Sequence, residues 1–148
     1  MLLLISISAA LSLVSIGGGF YEFLVIDPFW PRRPDLIQPQ RGGVSRKRFW
    51  IPAHSAFELS LIASLIVTWS HLPAVRTTLL VALASHAFMR IWSAIDFIPK
   101  ALRFERAESI AEIDARKWVR RSLLRLPLDL VTTSAMLMSL INVARETV

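Results

Sequence analysis

The 148-residue chain contains no cysteine. Disulfides, thiolate metal sites and cysteine nucleophiles are therefore excluded. A nucleotide-binding signature is missing too: Gly17-Gly18-Gly19 is too short for a Gly-rich phosphate loop, and no P-loop or Rossmann pattern occurs. Charge is scarce over four long stretches. Residues 1–26 carry one charged side chain, Glu22, and residues 51–72 carry one, Glu58. Residues 73–95 carry Arg76 and Arg90, and residues 122–144 carry Arg125 and Asp129.

What fills those stretches is apolar. Hydrophobic residues make up 54% of the chain and its mean hydropathy is +0.52, above a typical soluble domain. Each block is about 22 residues, and about 20 suffice to cross the hydrocarbon core. The fold class that follows is all-α: an integral membrane four-helix bundle. It forms a single transmembrane domain with spans at about 2–26, 52–72, 74–97 and 122–144. The first block lacks a basic leader and a clear cleavage site, so it is expected to be retained as a span.

Proline and charge mark the connections. Asp27-Pro28 should end the first span. Pro28–Trp50, with four prolines and two glycines, reads as a loop. Pro52 suits the first turn of the second helix and Pro73 that of the third, and Pro99 should end the third span. His71, beside Pro73, is expected at the membrane interface. Residues 102–121 carry charges of both signs at helical spacing, which predicts one solvated, cytoplasmic helix, open to being a continuation of the fourth span.

The net charge of +6 comes from residues between the apolar blocks, which argues for membrane topology and against nucleic acid. The first long connection holds Arg32, Arg33, Arg41, Arg46, Lys47 and Arg48. The other holds Lys100, Arg103, Arg106, Arg116, Lys117, Arg120 and Arg121, whereas the opposite side has Arg76 and Arg145. Positive charge marks the cytoplasmic face, so both long connections are expected there, with the chain in a bacterial inner membrane.

The intramembrane charges fall at one depth. Glu22 is roughly 7 Å from its span's cytoplasmic end and Glu58 about 10 Å in from Pro52, at 1.5 Å of rise per residue. Arg90 and Asp129 reach a similar depth. His54 and Glu58, His86 and Arg90, and Arg125 and Asp129 are each spaced i,i+4, so each pair shares a helix face. Facing lipid, such a charge costs about 2.5–3.5 kcal/mol; gathered inside, the charges can pair. If all converge, three carboxylates meet two guanidinium groups. A protonated histidine, a protonated carboxyl or a bound cation would balance the remainder. His54, Glu58 and His86 are the candidate ligands for a metal. The competing reading is structural: polar groups hold helices together, Arg125 snorkels to the interface, and His86 packs by a hydrogen bond.

Trp30, Trp50, Trp69, Trp92 and Trp118 lie near expected interfaces, where tryptophan is enriched. Phe57, His86, Trp92 and Tyr21 are the candidates to line a pocket for a flat ligand. The glycine run permits close helix approach.

Two stretches carry a resemblance. "GGGFYEFLVIDP" (Gly17–Pro28) and "RKWVRRSLLRLPLD" (Arg116–Asp129), with four spans in about 150 residues, resemble the anthrone-oxygenase-like family of small four-helix membrane proteins. The chain departs from that family at Ser122, in a neighbourhood where the family often has asparagine. The resemblance implies oxygenation of a small, apolar polyphenolic or quinone-like aromatic without an organic cofactor. His54 or Glu58 would be the base and Arg90 the oxyanion partner, oriented by Glu22 and Asp129. The cofactor is left open: none, a metal ion, or haem on the two internal histidines. Lipid is the expected surround, and a homo-oligomer is open. The rival readings are a non-enzymatic accessory subunit and an oligomeric proton or small-solute transporter.

Overall fold

Apolar runs bounded by proline and charge fold as helices, and no strand forms among the described residues. The structure, a computed structural model, describes residues 1–70 and 72–146, so His71 lies outside the described residues. The α-helices are α1 (Leu2–Tyr21), α2 (Lys47–Thr68), α3 (Pro73–Trp92), α4 (Ile98–Arg106), α5 (Glu112–Ser122) and α6 (Leu126–Glu146). A π-turn over Glu22–Ile26 extends α1, another over Ser93–Phe97 joins α3 to α4, and a 3₁₀ turn over Leu123–Arg125 joins α5 to α6. Four continuous runs result, each long and apolar enough to cross a membrane: Leu2–Ile26, Lys47–Thr68, Pro73–Arg106 and Glu112–Glu146.

Three boundaries differ from expectation. Helix α2 starts at Lys47, so Pro52 sits inside the helix and the loop ends earlier than Trp50. The extra turn is anchored by Phe49 and Trp50 amides donating to the Arg46 carbonyl. Pro99 does not end the third run. It is the second residue of α4, where its missing N–H costs least, just after the π-turn resets the bonding pattern. The charged helix expected over 102–121 breaks at Ala107–Ala111. Gln38 Nε2 donates to the carbonyls of Phe104 (2.9 Å) and Ala107 (2.8 Å), and Arg41 to that of Glu108 (3.1 Å). Those carbonyls are taken by the loop, which leaves α4 capped where a continuing helix would need them.

The bundle is ordered α2–α1–α6–α3, and its sparsest adjacent contact is the α2/α3 seam. Its apolar core joins Ile5, Phe57, Leu61, Leu79 and Met136. Small hydroxyl side chains stitch the interior. Ser8 bonds Ser64 at 3.0 Å, Thr78 bonds Ser139 at 2.6 Å, and Thr133 donates to the Ser12 carbonyl at 3.4 Å. Large apolar side chains face outward: Leu59 and Ile66 are each 71% exposed and Ile95 is 75% exposed. An outer surface this rich in large apolar side chains, with small hydroxyl residues between the helices, is unlike that of a water-soluble bundle. The glycine run contributes close approach: a Cβ at Gly18 would strike the Phe49 ring of α2, and one at Gly19 would lie 3.3 Å from Leu126 Cδ2.

Both long connections lie at one end and pack together. Trp30, Ile37, Phe97, Ala115 and Trp118 form a second core there. Trp30 is 0% exposed and Trp118 is 7% exposed, so these two tryptophans are core residues and not the interfacial ones expected. Their rings meet edge-on at 5.9 Å, and Trp118 Nε1 donates to the Phe97 carbonyl.

Candidate functional site

Helical spacing places His54 and Glu58 one turn apart on α2, and His86 and Arg90 one turn apart on α3. The seam brings three of the four into a bonded set. Arg90 Nε donates to Glu58 Oε1 at 2.7 Å, and His86 Nε2 lies 3.3 Å from the same oxygen. His86 is buried, whereas the Glu58 and Arg90 side chains keep 37% and 34% exposure. The pair is therefore reachable from the outer face of the seam.

His54 does not bond Glu58, despite sharing its face. Its ring stacks on Trp50 at 5.1 Å and lies 5.6 Å from the His86 ring, and its Nδ1 is buried without a hydrogen-bond partner. Phe57 is the candidate pocket residue that does reach the set, edge-on to His86 at 4.8 Å. Trp92 packs on Phe97 at 5.4 Å instead, and Tyr21 is 58% exposed at the end of α1. Two clefts at the charged end of the molecule are lined by other residues and not by His54, Glu58 or Arg90.

The remaining charges form a separate group nearer the loop end. Arg125 turns from Asp129, its i,i+4 neighbour. Its Nη1 donates to Ser93 Oγ at 3.2 Å, and its guanidinium covers the Phe97 ring at 4.5 Å. Asp129 is half-buried and makes no ion pair among the described residues. Glu22 is 4.0 Å from Arg46, a residue the sequence assigned to a solvated loop. Arg46 is instead buried against Trp118, 5.3 Å from that ring, with Nη2 unpartnered. Nothing in the run Arg46-Lys47-Arg48 distinguishes it in sequence. The polar layer is thus two sets: Glu58, His86 and Arg90 in the seam, and Glu22, Asp27, Arg46 and Arg125 with Asp129 beneath α1 and α6.

Asp27 is the other residue that sequence reasoning missed, since its place before Pro28 suggested only a helix end. It is 6% exposed and accepts from Trp30 Nε1 at 2.9 Å. Burial pushes its carboxyl up to about 6, and neighbouring Glu22 adds to the shift; the Trp30 bond, Arg46 and Arg125 oppose it. Both π-turns and the 3₁₀ turn fall at this end, and π-turns often mark functional positions.

Among the described residues no three His, Asp or Glu side chains are arranged to hold a metal ion. The imidazole rings of His54 and His86 lie 5.6 Å apart between centroids, tilted by 50°. Comparison with known proteins finds no match: no family model, curated protein or solved structure resembles the chain significantly.

Proposed function

We propose that the chain is an integral protein of a bacterial inner membrane, with both long connections cytoplasmic, that carries out acid/base chemistry on a small apolar aromatic molecule at the α2/α3 seam. The membrane part is supported by the four apolar runs, by the outward large apolar side chains and by the basic connections at one end.

The observation that carries the chemistry is the set His86–Glu58–Arg90, with Oε1 of Glu58 at 2.7 Å from Arg90 and 3.3 Å from His86. A carboxylate between an imidazole and a guanidinium can take a proton, pass it on, and leave a cation beside the resulting anion. In this reading Glu58 removes a proton from a phenol or an acidic C–H, Arg90 shifts to the substrate oxygen, and His86 accepts the proton. The finer reading is oxygenation: an anthrone-like methylene becomes a carbonyl, one oxygen atom of O2 entering the product and the other leaving as water.

One observation favours a second reading, a non-enzymatic accessory subunit. Glu58 already satisfies Arg90 and His86, and both clefts lie away from the seam. The readings separate by oxygen uptake. Purified protein with anthrone- or flavonoid-like substrates should consume O2, and Glu58→Gln should lose that uptake while still folding, as a cooperative thermal melt would show. Uptake that survives Glu58→Gln takes Glu58 out of the chemistry, and no uptake from the parent leaves the accessory reading.

A further inference from the structure

The larger cleft, about 450 Å³, opens between α4 and α5 and is closed at one end by the link Ala107–Ala111. Its position follows from the break that the loop side chains impose on the charged segment. Had residues 102–121 stayed one helix, no gap would exist. The walls have two characters. Phe97, Phe104, Ile110 and Trp118 line it with apolar surface, and the Phe104 and Trp118 rings meet at right angles 6.2 Å apart. Lys100 and Arg103 come from α4, and Lys117 and Arg121 from α5.

The cations are not equally available. Asp96 accepts from both Lys100 and Arg121, which holds those two in place. Arg103 and Lys117 are exposed and make no ion pair among the described residues. The one further acidic lining residue, Asp114, is also exposed, so four cations face two carboxylates in this cleft. It sits immediately beyond the ends of the third and fourth apolar blocks, on the side where basic residues concentrate.

We propose that this cleft binds an anionic phospholipid: a phosphate diester held by Arg103 and Lys117, with the start of its acyl portion on Phe104 and Trp118. The inference rests on the membrane reading above but not on the chemistry at Glu58. A phosphate needs flexible or forked cations, which Lys117 and Arg103 supply. Basic pockets beside spanning helices on the cytoplasmic side suit such head groups, and the volume lies in the usual range for a ligand site. A free phosphate would use the same cations and leave the aromatic wall without a purpose.

The test uses the full chain in detergent micelles, titrated separately with phosphatidylglycerol, phosphatidylcholine and inorganic phosphate. Retention is read by native mass spectrometry and stabilisation by thermal unfolding. Phosphatidylglycerol should be retained and should raise the melting temperature, whereas phosphatidylcholine should do neither. The double variant R103A/K117A should weaken phosphatidylglycerol binding roughly thirtyfold. R33A/R48A, which removes the same charge at the same end, should not. Lys117→Glu is the second variant, and lipid-free melting checks that each variant folds. Equal retention of both lipids, equal loss in both double variants, or full stabilisation by inorganic phosphate alone overturns the proposal. Release of the chain from membranes by alkaline washing would sink the membrane reading itself. Loss of lipid preference in a chain that stays inserted sinks only this one.

Discussion

Glu58 and Arg90 meet at 2.7 Å across the loosest seam of the bundle, each keeping about a third of its side chain exposed. That exposure fixes the magnitude of the pair. A surface pair contributes about 1 kcal/mol or less, and removing one partner of a fully buried pair costs about 3–5 kcal/mol. Arg90→Leu should fall between, destabilising the protein by about 2 kcal/mol in detergent because Glu58 is left with His86 alone. The double variant Glu58→Gln/Arg90→Leu should recover most of the loss, since no uncompensated charge remains. A double variant less stable than Arg90→Leu would show that the two residues do not act as a pair.

Asp27 should make stability depend on pH in a stated direction. Its carboxyl is raised from 3.8 to about 6 in the folded chain, chiefly by burial. Below pH 3.8 the group is protonated whether folded or unfolded, and it adds nothing. Between there and 6 the unfolded chain ionises first, so stability falls as pH rises, and above 6 the penalty is complete at about 3 kcal/mol. Asp27→Asn keeps an oxygen for Trp30 Nε1 and never ionises. It should flatten the slope of melting temperature between about pH 4 and 6.5 and be more stable than the parent at pH 7.5. Identical pH profiles would show that Asp27 ionises normally.

The two kinds of tryptophan should separate cleanly. Trp30 is fully buried among Trp118, Phe104 and Ile37, so Trp30→Ala should cost about 3–5 kcal/mol. Trp69 is 51% exposed, and the Arg76 guanidinium lies 5.4 Å from its ring. Trp69→Ala should cost about 1 kcal/mol or less. Equal losses in chemical unfolding of the two variants would return Trp30 to the interfacial class.

The four helices were legible because the length of an apolar run and its bounding prolines are local properties. The i,i+4 spacing of His86 and Arg90 also located the α3 side of the seam, since periodicity decides which side chains share a face. What escaped were partners chosen over long sequence distance near the loop end. Arg46 is buried because Trp30 and Trp118, far apart in the chain, converge on it. The break after Arg106 depends on Gln38 and Arg41, more than sixty positions earlier. Arg125 could have turned to Asp129 one helical turn away; it instead covers Phe97 and bonds Ser93, both on the third helical run. Spacing shows which groups can meet on one helix, whereas packing between helices selects the partner.

The absence of cysteine makes orientation directly measurable, and the structure selects where the label goes. Gly43, at the centre of the basic loop, leaves no room for a side chain: a Cβ there would strike the Asp35 and Leu36 carbonyl oxygens. Val44 beside it is 53% exposed, so Val44→Cys reports on the same loop without forcing the backbone. Ser70 is exposed in the turn between α2 and α3, and Ser70→Cys reports on the opposite end. If the basic connections are cytoplasmic, an impermeant maleimide should modify Ser70→Cys in intact cells and reach Val44→Cys only after permeabilisation. The reverse pattern would put thirteen basic residues, from Arg32 to Arg48 and Lys100 to Arg121, outside the cell. It would also place the cleft between α4 and α5 in the outer leaflet, so its lipid would have to be drawn from there.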